Sequence, residues 1–256
     1  MQAKSVLPLI IIPVVLLVSA AAGPSAGAEP AGAAPAAPDT VLLLPGLGRS
    51  PRSMRRLGRD LEARGYRVVS VSYPTRRETV EELSHRVAAV VAQRCPDNGG
   101  RLHFVTHSLG GIVVRHYLAT SRPANLGRVV MLSPPNGGSE IVDLLKQVPF
   151  VRDHLGPSRG QMGTDAGSLP SRLGPVDYEV GVIAGGRSVN PLFSWLLPGD
   201  DDGAVAVARM KVDGMRDLVL VPRGHTFIMN GRDTIEQTAA FLRDGDFTRP
   251  ARRSAA

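Results

Sequence analysis

Ser108 stands in Thr106-His107-Ser108-Leu109-Gly110. Before it, Leu102, Phe104 and Val105 are apolar and mostly β-favouring, and read as a buried strand. Behind it come Gly110 and Gly111, then Ile112, Val113, Tyr117 and Leu118 at helical spacing. A serine held in so tight a strand-to-helix turn has its hydroxyl lifted clear of the sheet, as a nucleophile requires. The plainer alternative is a serine that merely caps the helix, a position Ser favours. The usual pattern is G-x-S-x-G, and Thr106 stands in place of its first glycine.

A serine hydroxyl is a weak nucleophile at neutral pH. It needs a base within hydrogen-bond reach, a carboxylate to orient that base, and donors for a developing oxyanion. Arg223-Gly224-His225-Thr226-Phe227 follows the apolar run Asp217–Val221, and Gly224 gives that loop freedom to present His225 as the base. His103 and His107 compete by proximity, but His103 lies inside the strand and the side chain of His107 should project differently from that of its neighbour Ser108. The acid should come between serine and histidine in chain order, which points to Asp200-Asp201-Asp202-Gly203. Asp202 is the first choice, because Gly203 permits a tight turn that aims it inward, and Asp201 is the second. The oxyanion donors should be the Leu109 N–H and, from Pro45-Gly46-Leu47-Gly48 after the first strand, the Leu47 N–H. That glycine-rich turn has neither G-x-G-x-x-G spacing nor a P-loop lysine, which argues against a nucleotide site.

The elements that must position these groups alternate. Strands are expected at Thr40–Leu44, Arg67–Tyr73, the segment before Ser108, Arg128–Leu132, Tyr178–Ala184 and Asp217–Val221. Helices are expected at Ser53–Arg64, Thr79–Arg94, behind Ser108, and at Thr234–Leu242. Short strands apolar on both faces and separated by helices describe a mostly parallel, doubly wound α/β sheet. Residues 137–177 break the pattern. One short helix, Ser139–Gln147, precedes a Gly/Pro/Ser-rich stretch, which reads as an insertion over the C-terminal edge of the sheet or as a plain surface excursion.

Composition narrows the partners. The net charge of +7 comes almost wholly from scattered arginines without interleaved aromatics, so nucleic-acid binding gains no support. The charge allows a weak preference for anionic surfaces or substrates, peripheral membrane contact included. Cys95 is the single cysteine and reads as a structural thiol. The six histidines show no metal-ligand spacing, so no metal site is expected. At the N-terminus, Lys4, the apolar run from Val6 to Val18 and Ala26-Gly27-Ala28 have the layout of a secretory signal peptide over residues 1–28, with a membrane anchor as the alternative. A Pro/Ala linker over 29–38, a folded domain over 39–248 and a tail over 249–256 complete the expected organisation.

With these residues in view, the chain resembles the α/β-hydrolase superfamily, and within it the small bacterial esterase/lipase group. Leu44-Pro-Gly-Leu-Gly48, Thr106-His-Ser-Leu-Gly-Gly111, Asp202-Gly-Ala-Val205 and Gly224-His225 carry the resemblance, in the family's order, and Ser133-Pro-Pro-Asn-Gly-Gly-Ser139 looks like a fifth landmark. The resemblance implies a triad of Ser108, Asp202 and His225, oxyanion donors at Leu47 and Leu109, hydrolysis of small-molecule or lipid esters through an acyl-enzyme, and no cofactor. Two positions depart from the family: Pro45 where His commonly precedes the oxyanion glycine, and Thr106 where Gly or Ala is usual. An acyltransferase with the same triad and a catalytically idle binding protein on the same fold are the rival expectations.

Overall fold

Six short apolar runs become six strands: β1 Thr40–Leu44, β2 Arg67–Ser70, β3 Leu102–His107, β4 Leu126–Leu132, β5 Val180–Gly185 and β6 Asp217–Val221. They form one sheet in the order β2-β1-β3-β4-β5-β6, and all five pairings are parallel. The computed structural model describes residues 37–97, 99–188 and 191–249. The expected signal segment, all of the linker but its last two residues, and the tail beyond Arg249 lie outside the described residues.

Ten helices are described: α1 Arg55–Ala63, α2 Val80–Arg94, α3 Leu109–Thr120, α4 Glu140–Gln147, α5 Pro149–His154, α6 Pro157–Gly160, α7 Leu169–Arg172, α8 Pro191–Leu196, α9 Val207–Met210 and α10 Arg232–Asp244. Alternation along the strands divides the core between the two faces. Leu42, Leu44 and Phe104 pack with Val80, Leu83 and Ile112 of α2 and α3. Val41, Leu43 and Val105 pack with Leu57 and Leu61 of α1 and Phe241 of α10. Burial on both faces is what a parallel sheet clad in helices requires, and it explains why β1 and β3 carry no exposed residue.

The strand order reverses at β1. From there the chain runs outward to β2 and then returns to β3 on the other side, which opens a crevice beyond the carboxyl ends of β1 and β3. Ser108 follows β3, and Gly46-Leu47-Gly48 follows β1. Topology alone therefore brings the serine and the glycine-rich turn to the same edge.

Several boundaries differ from the sequence expectation. The helix expected to begin at Ser53 opens as a 3-10 turn, Pro51–Met54, because Pro51 starts the turn and Ser50 provides no side-chain cap. The second helix begins as expected, with Thr79 and Glu82 forming a reciprocal capping box. β5 starts at Val180, not Tyr178, because pairing with β4 begins at Val129 opposite Val180. Residues 137–177 are more ordered than expected, since α5, α6 and α7 follow α4 within them. α6 and α7 carry proline in the first turn, where a missing N–H costs nothing, and helices of four to six residues are too short to show a 3.6-residue period. Neither α8 nor α9 was expected from the sequence, for the same reason.

Candidate active site

The backbone at Ser108 has φ 51° and ψ −122°, a conformation L-residues rarely adopt. Its side chain makes no hydrogen bond to the first turn of α3, so it is not acting as a helix cap. The turn closes only because residue 110 is glycine: a Cβ there would lie 2.6 Å from the Leu44 carbonyl oxygen. Thr106, at its unusual position, is fully buried, and the glycine at 111 makes room chiefly for Pro134. A Cβ at 111 would meet Pro134 Cβ at 3.0 Å and Thr106 Oγ1 at 3.4 Å. Pro45, the other departure, has its carbonyl held by the buried Tyr73 hydroxyl at 2.7 Å.

His225 opens a 3-10 helix, His225–Asn230, directly after the loop that leaves β6. Gly224 is in ordinary extended conformation, φ −91°, so the freedom expected of it is not used. The loop is fixed instead by the His225 N–H, which donates to the Asp202 carbonyl at 2.8 Å. The ring then spans two partners: Nδ1 lies 2.7 Å from Asp202 Oδ2, and Nε2 lies 2.9 Å from Ser108 Oγ. A carboxylate only accepts, so Nδ1 carries the proton. Nε2 is left bare to accept from the serine hydroxyl.

Of the two expected acids, Asp202 is the one that faces His225. Gly203 adopts φ +95°, and the turn it makes lets Asp202 Oδ1 accept the Ala204 and Val205 N–H groups at 3.0 and 2.9 Å while Oδ2 faces the imidazole. Burial pushes the Asp202 carboxyl up, but the His225 charge, the hydrogen bonds from His225 and Val205 N–H, and the Ser133 side chain beside it together hold it below its ordinary value. Asp201 is engaged elsewhere, accepting from Gly203 N–H at 2.6 Å and Ser194 Oγ at 3.1 Å.

Leu47 and Leu109 line the same cleft as Ser108 and His225. Leu109 is the first residue of α3, so its N–H has no partner within the helix. The turn's own hydrogen bonds use the neighbours of Leu47: Gly48 N–H reaches Thr75 Oγ1 and Arg49 N–H reaches the Gly46 carbonyl. The cleft holds about 400 Å³, and Ile141 and Val142 of α4, together with Met162, supply much of its apolar wall. Among the described residues no cluster of His, Cys, Asp or Glu could hold a metal ion. Cys95 is buried, and burial pushes its thiol up.

His103 is structural. It is 1 % exposed in β3, its Nδ1 accepts the Arg128 N–H at 2.8 Å, and its Nε2 lies 3.3 Å from Asp39. Sequence reasoning missed two supporting residues. Ser133 opens the fifth landmark and lies against Asp202. His107 lines the same cleft as Ser108, and it contributes: its ring packs against that of His225, centroids 5.1 Å apart, and its Nε2–H donates to the His225 carbonyl at 3.0 Å. Adjacency to the serine is the signal the sequence offers for it.

Burial, and then the neighbouring His225 charge, depress His107 to about 3. An unfolded histidine titrates near ~6.5, so below that pH the unfolded chain takes up a proton that the native chain refuses. Stability is therefore undiminished by this residue above ~6.5 and falls as pH drops toward 3, by about 1.4 kcal/mol per pH unit. Urea unfolding at pH 7 and pH 5 should show a loss that shrinks by about 2 kcal/mol in His107→Gln. An identical loss in the variant would refute this account.

Residues 41–253 match the alpha/beta hydrolase family, and the chain belongs to that family. Its fold is shared by the mature lipase BlEst2 of Bacillus licheniformis, with TM-score 0.66 and 17 % identity over 84 % of this chain and 95 % of that one. A metagenomic carboxyl esterase, MGS0156, superposes with TM-score 0.56 and 21 % identity over 79 % of this chain and 69 % of its own. Phospholipase PlaB of Legionella pneumophila gives TM-score 0.55 and 18 % identity over 69 % of this chain, which spans only 45 % of PlaB. Likewise it spans 54 % of the propeptide form of BlEst2. No protein of curated function matches the sequence.

Proposed function

We propose that this chain is a serine hydrolase of carboxylic esters, with Ser108 as nucleophile, His225 as general base and acid, and Asp202 as the group that orients His225. The observation that carries the reading is the continuous chain Ser108 Oγ, His225 Nε2, His225 Nδ1, Asp202 Oδ2, with contacts of 2.9 and 2.7 Å. As Ser108 Oγ bonds to the ester carbonyl carbon, its proton passes to Nε2. The Leu47 and Leu109 N–H groups hold the oxyanion, and the proton moves on to the departing alkoxide as the acyl C–O bond breaks. Water then gives its proton to Nε2 and attacks the acyl-enzyme, releasing the acid and restoring Ser108. Asp202 stabilises the imidazolium without taking its proton. A cleft with modest apolar walls supports short or medium acyl groups. The layout of residues 1–28 supports export, with the mature enzyme acting outside the cytoplasm.

The test is hydrolysis of p-nitrophenyl acetate, butyrate and palmitate by the full chain, alongside labelling with a fluorophosphonate and mapping of the modified peptide. Ester turnover with the label on Ser108 is expected. A label on another residue would overturn the assignment, a maximum at palmitate would overturn the acyl-length preference, and turnover only with an added acceptor alcohol would make the chain an acyltransferase.

A further inference from the structure

Three arginines line the cleft that holds Ser108 and His225, and no carboxylate lines it with them. Arg49 follows the turn that carries Leu47, Arg76 precedes α2, and Arg159 lies in α6. None of the three makes an ion pair among the described residues. Some other arginines have partners close at hand. Arg128 and Arg209 are engaged by Glu179 and Glu140, and the buried Arg115 is held by the carbonyls of Asn136, Pro170 and Gly174. By contrast, Arg49 gives one hydrogen bond, to the Thr226 carbonyl, and its buried Nε has no partner.

The segments that carry these side chains are tied together. The Thr75 hydroxyl accepts the Gly48 N–H at 2.8 Å, and its carbonyl accepts from Ser158 of α6. The turn bearing Arg76 is thereby fastened both to the turn after β1 and to the helix bearing Arg159. The Arg76 guanidinium lies over Gly48, where a Cβ would come within 2.7 Å of its Nε, and Gly156 packs on the Arg76 carbonyl. Arg159 is half-buried. Burial, and then the charge of Arg76, push its guanidinium down. Like charges gathered without a counter-ion in a partly desolvated cleft are relieved when an anion enters. Beyond Arg49, Arg52, Arg55, Arg56 and Arg59 line an adjoining groove with one acid, Asp60, which is paired with Arg64, so the groove extends the positive field.

We propose that Arg76 and Arg159 form an anion subsite, so that the preferred ester carries a phosphate or carboxylate group, bound at the rim while its carbonyl meets Ser108. Guanidinium suits both oxyanions through paired N–H donors. This specificity rests on the ester-hydrolase reading above.

Two matched pairs of esters separate the sources of the anion: mono-p-nitrophenyl adipate against p-nitrophenyl hexanoate, and 1-butyryl-glycerol-3-phosphate against monobutyrylglycerol. In at least one pair kcat/KM for the anionic member should exceed that for the neutral one by about tenfold, an advantage that added salt diminishes. The pair that shows it identifies carboxylate or phosphate. In Arg76→Gln and Arg159→Gln the anionic-to-neutral ratio should fall about fivefold or more, with part restored in Arg159→Lys. A merely structural role would lower both members together and leave the ratio unchanged. A ratio near one in both pairs, or one unaltered in the double Gln variant, would overturn the subsite and leave the hydrolase reading standing. Calorimetric titration of Ser108→Ala with 1-butyryl-glycerol-3-phosphate against monobutyrylglycerol, and with adipate monomethyl ester against methyl hexanoate, needs no turnover. If no ester is hydrolysed the function fails, and selective binding of the anions in that titration still upholds the subsite, whereas equal or absent binding overturns it.

Discussion

Ser108→Ala should lower kcat on p-nitrophenyl butyrate by about 10⁶-fold, and His225→Ala by a comparable factor. The expectation follows from the contact of 2.9 Å between Ser108 Oγ and His225 Nε2: neither group performs proton transfer and attack without the other. The double variant should therefore be little slower than either single one, because residues that act as a unit do not contribute additively. Residual turnover would come from the Leu47 and Leu109 donors and from binding alone. Ser108→Ala keeps the Cβ, so the strained turn at φ 51° retains its packing and circular dichroism should be unchanged. Initial rates with the folded variants check this. Rates of a folded Ser108→Ala chain within tenfold of the parent would mean that ester cleavage takes place elsewhere.

Asp202→Asn should cost about 10⁴-fold in kcat, while Asp201→Asn changes it no more than a few-fold. The contrast is set by where each oxygen points. Asp202 Oδ1 accepts the N–H groups of Ala204 and Val205, so the amide oxygen of an asparagine must occupy that position and its NH₂ must face His225 Nδ1. A donor facing Nδ1 forces the proton onto Nε2, which then cannot accept from Ser108. At residue 201 the oxygen bonded to Gly203 N–H and Ser194 is kept in an asparagine, so the turn survives and the imidazole is untouched. Measuring kcat for both variants decides between the two acids. A large loss in Asp201→Asn with little loss in Asp202→Asn would reverse the assignment.

The neighbours of this trio show how the fold divides labour. His107, neutral and buried, holds the carbonyl and ring of His225, and Ser133 backs Asp202. His107 ends β3 and Ser133 follows β4, at the carboxyl edge of the sheet, where a rigid base fixes what it carries. The arginines that face the cleft come instead from the turn after β1, the turn before α2 and the insertion. That is the part of such a fold that varies without disturbing the sheet.

The alternation of apolar strands with helices was legible in the sequence, because buried parallel strands and amphipathic helices each need their own hydrophobic period. So were Ser108 ahead of Gly110 and Gly111, Asp202 before Gly203 and His225 after the last strand, since tight turns at strand ends accept few residue types. The short helices α5 to α9 were not, because a helix of four to six residues carries less than two turns of pattern. Tertiary structure alone shows that Asp202 faces His225 while Asp201 faces Ser194, although the two are adjacent residues of one type. It alone set His107 against the ring and carbonyl of His225. It also gathered Arg49, Arg76 and Arg159, which are scattered in sequence, around one cleft, because only the strand order brings the turn after β1, the start of α2 and the insertion to a common edge.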